Sequence, residues 1–121
     1  MNLAMYDFLK TVAREGKVTT YSDVAPIADL EPRSHELFRI LGDISTYEHE
    51  HGRPMLSAVV VQKVTQYPGA GFFTLARDLG LLVGATPTAE LEFFVRELGR
   101  VHRVWSRSEP PDATSPQGAS R

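Results

Sequence analysis

Apolar side chains over residues 2–15 recur at Leu3, Tyr6, Leu9 and Val12, with Met5 and Phe8 beside them. That three-and-four spacing lays one face of a helix against a core, and Gly16 follows where a left-handed glycine ends a helix. The β-branched run at residues 17–21 predicts a short edge strand. Ser22 is placed to cap a second, short helix carrying Val24, Ala25, Ile27 and Ala28, with Pro26 tolerated in its first turn because few N–H groups there have partners. Ser34 caps a third helix, whose buried face is Leu37, Phe38, Leu41 and Ile44 and which runs to about residue 47 or 48. Gly52 and Pro54 interrupt the chain, and residues 55–63, with Val59, Val60 and Val61 in succession, read as a buried strand. Residues 64–71 are a turn by composition, built around Pro68 and Gly69. A short helix with Phe72, Leu75, Ala76 and Leu79 on one side then ends at Gly80. A long last helix opens with Thr86 as cap and Pro87 at its first position, and carries a stripe of Leu91, Phe94, Leu98, Val101 and Trp105.

The order helix, strand, helix, helix, strand, turn, helix, helix predicts a mainly α fold with a small β wing, of the α+β class. Its expected form is a winged helix-turn-helix domain over residues 1–107 plus an extra C-terminal helix at about 87–106. From Ser108 the chain is rich in Pro, Ser and Gly without a large apolar residue, so residues 108–121 are expected to be a disordered tail. A length of 121 residues with 42% hydrophobic and 23% charged positions fits one domain with one modest core. Absence of cysteine removes disulfides, thiolate nucleophiles and cysteine zinc sites, and makes a reducing cytoplasm the simplest home. The opening decapeptide lacks the pattern of a signal peptide, and no stretch approaches the roughly 20 apolar residues of a membrane span. A net charge of -2 opposes whole-surface attraction to phosphate and leaves only a local basic face open. Lys and Arg total 13, and Arg, the better bidentate partner for phosphate or guanine, outnumbers Lys.

No pattern for chemistry stands out. Glu48, His49, Glu50 and His51 sit together, but histidines at i and i+2 do not converge on a helix face, so a polar helix end is expected rather than a metal site. No Ser, His and Asp form a nucleophile elbow, and the glycines at 69 and 71 lack the Lys and Ser/Thr of a phosphate-binding loop. The expectation is a non-enzyme with no cofactor, no metal and no catalytic residue.

The stretch "GKVTTYSDVA" at 16–25, "RILG" at 39–42, "PMLSAVV" at 54–60 and "GAGFFTLARDLG" at 69–80 together resemble a known family. It is the DNA-binding C-terminal domain of the alkylguanine-DNA alkyltransferases and their alkyltransferase-like relatives, over roughly residues 1–80. The resemblance implies a helix-turn-helix whose recognition helix carries Arg39, matching the side chain that in the family fills the stack when a base is flipped out. It also implies an active-site run, in which Met55 takes the place of the nucleophilic cysteine and Leu56 and Ser57 that of the His and Arg. A thioether has no proton to lose, so suicide alkyl transfer is excluded.

Two readings follow. In the first, the chain binds nucleic acid, duplex DNA by the resemblance, through Tyr21, Ser22, Arg33, Ser34, His35 and Arg39 with Arg53 and Lys63 by the wing. Arg39 fits better still a solvated residue paired with Glu36 or Asp43. In the second, the chain is a protein-interaction module or small accessory subunit, or a homodimer, docking through the last helix at Leu91, Phe94, Leu98, Val101 and Trp105. The same stripe also suits covering the core, because a chain this short needs the apolar area.

Overall fold

The computed structural model describes residues 1–106, so the expected tail from Ser108 lies outside the described residues. Helix α1, Leu3–Arg14, starts where the Asn2 side chain accepts the Met5 N–H at 2.9 Å. It ends as expected: Gly16 adopts φ 69°, and the N–H groups of Gly16 and Lys17 donate back to the carbonyls of Ala13 and Val12. Met5, Tyr6, Leu9, Val12 and Ala13 form its buried face, whereas Leu3, placed on that face by spacing, is exposed.

Strand β1 is only Thr19–Thr20, and helix α2, Tyr21–Val24, follows with no gap. The cap is therefore not Ser22, which lies inside the helix and is exposed; Thr20 caps it by accepting the Asp23 N–H at 3.1 Å. Either hydroxyl suits a cap chemically, and the earlier one wins because the strand ends sooner. A 3-10 turn, Ala25–Ala28, continues α2, with Pro26 in its first turn. Helix α3, His35–Glu50, begins as expected at Ser34, whose hydroxyl accepts the Glu36 N–H at 3.1 Å.

The run expected as one strand at 55–63 divides. Leu56–Val59 is a 3-10 turn and only Val60–Val61, strand β2, pairs with β1. The pairing is parallel, Thr19 opposite Val60 and Thr20 opposite Val61, whereas a wing hairpin is antiparallel. The small β component is thus present as a two-residue parallel contact. Helices α4, Ala70–Asp78, and α5, Pro87–Ser106, complete the order, with the Thr86 hydroxyl accepting the Ala89 N–H at 3.1 Å at the start of α5.

The centre of the molecule is the turn Leu56–Val59, onto which α1, α3 and α5 all pack. Met5, Leu9, Leu37, Ile44, Met55, Leu56 and Val59 are fully buried around it. Burial of such side chains contributes about 1.5–3 kcal/mol each relative to exposure. The result is a mainly helical α+β fold, and among the described residues no helix is long and apolar enough to cross a membrane.

Candidate nucleic-acid interface

Three chain segments meet beside the short strand pair: the start of α2, the loop before α3 and the loop after β2. Between them lies a groove of about 540 Å³ whose lining includes Tyr21, Ser22, Arg33, Phe38, Lys63 and Val64. Tyr21 is fixed in it by the Gly69 N–H, which donates to the phenol oxygen at 2.9 Å, and burial raises the phenol pKa above its ordinary value. The Phe38 and Tyr21 rings pack at right angles with centres 5.6 Å apart, and this pair separates the groove from a second, more apolar cleft of about 330 Å³ that also includes Leu41, Ser57, Phe72 and Leu75. The charged residues lining the groove are Arg33 and Lys63, and among the described residues neither side chain has a hydrogen-bond or ion-pair partner.

Phe38 corrects the expectation that it is buried: it is 40% exposed. The stripe Leu37, Leu41, Ile44 and Glu48 faces inward at helical spacing, which turns Phe38 about a quarter-turn away.

The outward face of α3 is balanced against itself. The Arg39 guanidinium donates through Nε to Glu36 at 2.9 Å and through Nη1 to Asp43 at 3.1 Å, with a further contact from Nη2 to Glu36. These bonds raise the Arg39 pKa and hold the Glu36 carboxyl below the usual carboxylate range. His35, Glu36, Arg39, Asp43 and Glu50 are all exposed on this helix, so three carboxylates accompany one guanidinium there. Ser34 and His35 occupy the first turn outside the groove, with Ser34 engaged as a cap.

Arg53 is not part of the basic face. It grips the fully buried Glu48 through Nε and Nη2, both at 2.9 Å, and lies 5.9 Å from the ring centres of Tyr47 and Trp105. Tyr6 donates to the same carboxylate at 2.7 Å, and burial together with that bond pushes its pKa up to about 12. A sequence reading sees Arg53 only as a cation in a loop, because its partner is a glutamate, a charged residue type ordinarily assigned to solvent although its helical position faces inward.

Met55 is removed from any surface. It is fully buried, and its N–H donates at 2.8 Å to the buried carboxylate of Glu97, which also accepts from Arg100 at 2.9 Å. Helix α5 therefore seals Met55, and neither cleft reaches it. On the same helix Phe94, Val101 and Trp105 are buried in the core, Leu98 is partly buried and Leu91 is 50% exposed. Phe93 takes the inward place given to Leu91, since the buried stripe runs through 93, 94, 97, 101 and 105 and includes Glu97, which apolar patterning passes over.

Of the eight residues expected to contact nucleic acid, four converge: Tyr21, Ser22, Arg33 and Lys63. Comparison with family models, with curated proteins and with solved structures finds no match.

Proposed function

We propose that the chain is a non-enzymatic nucleic-acid-binding domain of winged-helix-like layout, and that the groove around Tyr21, Arg33 and Lys63 is its contact surface. DNA is the ligand that the resemblance to the alkyltransferase-like domains implies. One observation carries the reading: two cations from separate loops, both without a partner among the described residues, line one groove that has an aromatic wall. Unpaired cations are what phosphate needs, and an aromatic face beside them suits a base. The lack of a reactive group at Met55 and its burial support a binding role rather than chemistry.

The competing reading, a protein-interaction module docking through the last helix, has Leu91 and Val95 in its favour, exposed one turn apart. Phe94, Val101 and Trp105, on which it relied, are committed to the core.

Fluorescence anisotropy with labelled oligonucleotides at two salt concentrations tests the proposal. With two phosphate contacts, binding to duplex should be on the order of micromolar at low salt, with a log–log salt slope of about −2. Replacing Arg33 and Lys63 together by Ala should abolish it while the protein stays folded. No binding of any oligonucleotide by the wild type at low salt would leave the interaction module as the better reading.

A further inference from the structure

Resting on that reading, we propose that the groove takes single-stranded rather than duplex nucleic acid, with one unpaired base stacked on Phe38 and the flanking phosphates held by Arg33 and Lys63. Three observations point this way. First, Phe38 is a large aromatic residue left 40% exposed at the edge of the groove, packed in a T-shaped contact with Tyr21. A buried ring would be core, and a freely rotating surface ring would be a poor platform; this one is held and accessible. Base–aromatic stacking needs an exposed π-face, which a paired and stacked base inside a duplex cannot meet.

Second, the charge is distributed for a short contact. Arg33 and Lys63 are the charged residues lining the groove, and the neighbouring cleft beyond Phe38 carries an acid, Asp78. Phosphate is therefore attracted on one side of the ring and disfavoured on the other, which gives the strand a path along the groove. Val64, 93% exposed on the same loop as Lys63, extends the apolar part of that path.

Third, duplex recognition by α3 meets repulsion. A helix lying in a major groove is flanked by two phosphate backbones. The exposed face of α3 would bring Glu36, Asp43 and Glu50 toward them, with Arg39 already engaged by two of those carboxylates. A single strand lying in the groove needs no such approach. The groove volume of about 540 Å³ lies within the range of small-ligand sites, about 300–1,000 Å³, and so matches a short segment rather than a duplex.

The test uses the full chain with a labelled oligothymidylate of about twelve nucleotides, within the usual site sizes of single-strand binders, and a duplex of equal length. Wild type should bind the single strand at least several-fold more tightly than the duplex. Phe38→Ala should weaken single-strand binding by about 5- to 150-fold, the loss of one stacked base, with the salt slope unchanged because the phosphate contacts remain. Phe38→Trp should keep the affinity, and thermal melting should show both variants folded. Arg33→Ala with Lys63→Ala should instead flatten the slope by about 1.4, from two contacts at roughly 0.7 each. Duplex bound as tightly as the single strand, or Phe38→Ala binding like wild type, overturns the single-strand mode. In that event a duplex affinity that still depends on Arg33 and Lys63 keeps the proposed function, whereas no binding to either oligonucleotide removes both.

Discussion

Cations on the two sides of this molecule do opposite work. On the side where α1 and α5 meet, Arg53 and Arg100 each face a buried glutamate, Glu48 and Glu97, and those carboxylates fasten a tyrosine hydroxyl and the Met55 N–H as well. On the groove side, Arg33 and Lys63 stand without partners among the described residues. Within a protein of net charge -2, the first pair is committed to the fold and the second is open to a partner. Composition cannot reveal it, because arginine occurs in both sets. Their partners, brought in by the fold, separate them.

The sharpest way to break the comparison is to remove the buried acids. Glu48→Ala leaves the Arg53 guanidinium and the Tyr6 hydroxyl without their shared acceptor and should cost about 3–5 kcal/mol, read from urea midpoints at unchanged m. Replacing both partners by apolar residues, as in Glu48→Leu with Arg53→Met, should recover much of the loss, because no unpaired charge remains. A cost below about 1 kcal/mol for Glu48→Ala would place that pair with ordinary surface bridges. Glu97→Ala comes next, at about 1–3 kcal/mol, since it orphans one buried backbone N–H and frees an arginine that is already half exposed.

These two glutamates also show where the sequence stopped being readable. Local signals were legible to the residue at Ser34 and Thr86, because a cap needs only the chain beside it. Gly16 and Gly80 were legible for the same reason, each ending its helix with positive φ. The last helix was found, but its inward face was turned by its polar member: Glu97 faces in to meet Met55, 42 positions earlier, and carries Phe93 in with it while Leu91 turns out. The split of residues 56–61 into a 3-10 turn and a two-residue strand has the same origin, since packing by three helices overrides the β preference of Val59. At the candidate site, the residue types of the groove could be named in advance and their convergence could not. Arg39 could be paired with Glu36 or Asp43 from helical spacing alone, whereas Arg53 and Lys63 read alike in sequence and only the fold sets them apart.

Alkaline pH sharpens the comparison with a smaller effect. Tyr6 has its pKa raised to about 12, with burial and the Glu48 bond as the leading causes, and burial also raises Tyr21 and Tyr67 above the ordinary 10.0. Above pH 10 the unfolded chain therefore loses phenolic protons that the folded chain keeps. Stability that is fully present below pH 10 is lost as pH rises toward 12. Urea melts at neutral pH, pH 10 and pH 11 should show this decline, and Tyr6→Phe should remove part of it while lowering stability at neutral pH by about 1 kcal/mol. An undiminished decline in Tyr6→Phe would assign the alkaline sensitivity to Tyr21 and Tyr67 instead.

The smallest effect tests the boundary between the two sets of cations, which is Arg39. It is exposed like Lys63 yet paired like Arg53, and its partners Glu36 and Asp43 are themselves exposed, so the arrangement contributes little to stability. Its consequence is functional: a guanidinium with two carboxylates around it offers phosphate no net attraction. Glu36→Gln with Asp43→Asn keeps the shapes, removes two negative charges and releases one positive charge beside the groove. Affinity for duplex at low salt should rise by about 2- to 10-fold, and the salt slope should steepen by about 0.9, the value of one further phosphate contact. Mild acidification cannot substitute for the two substitutions, because the Arg39 bond keeps Glu36 ionised below the usual carboxylate range. A steeper slope would show that α3 lies within reach of the phosphates and is held back only by its own acids. An unchanged slope would place its outward face away from the bound strand, and leave Arg33 and Lys63 as the cations that the nucleic acid meets.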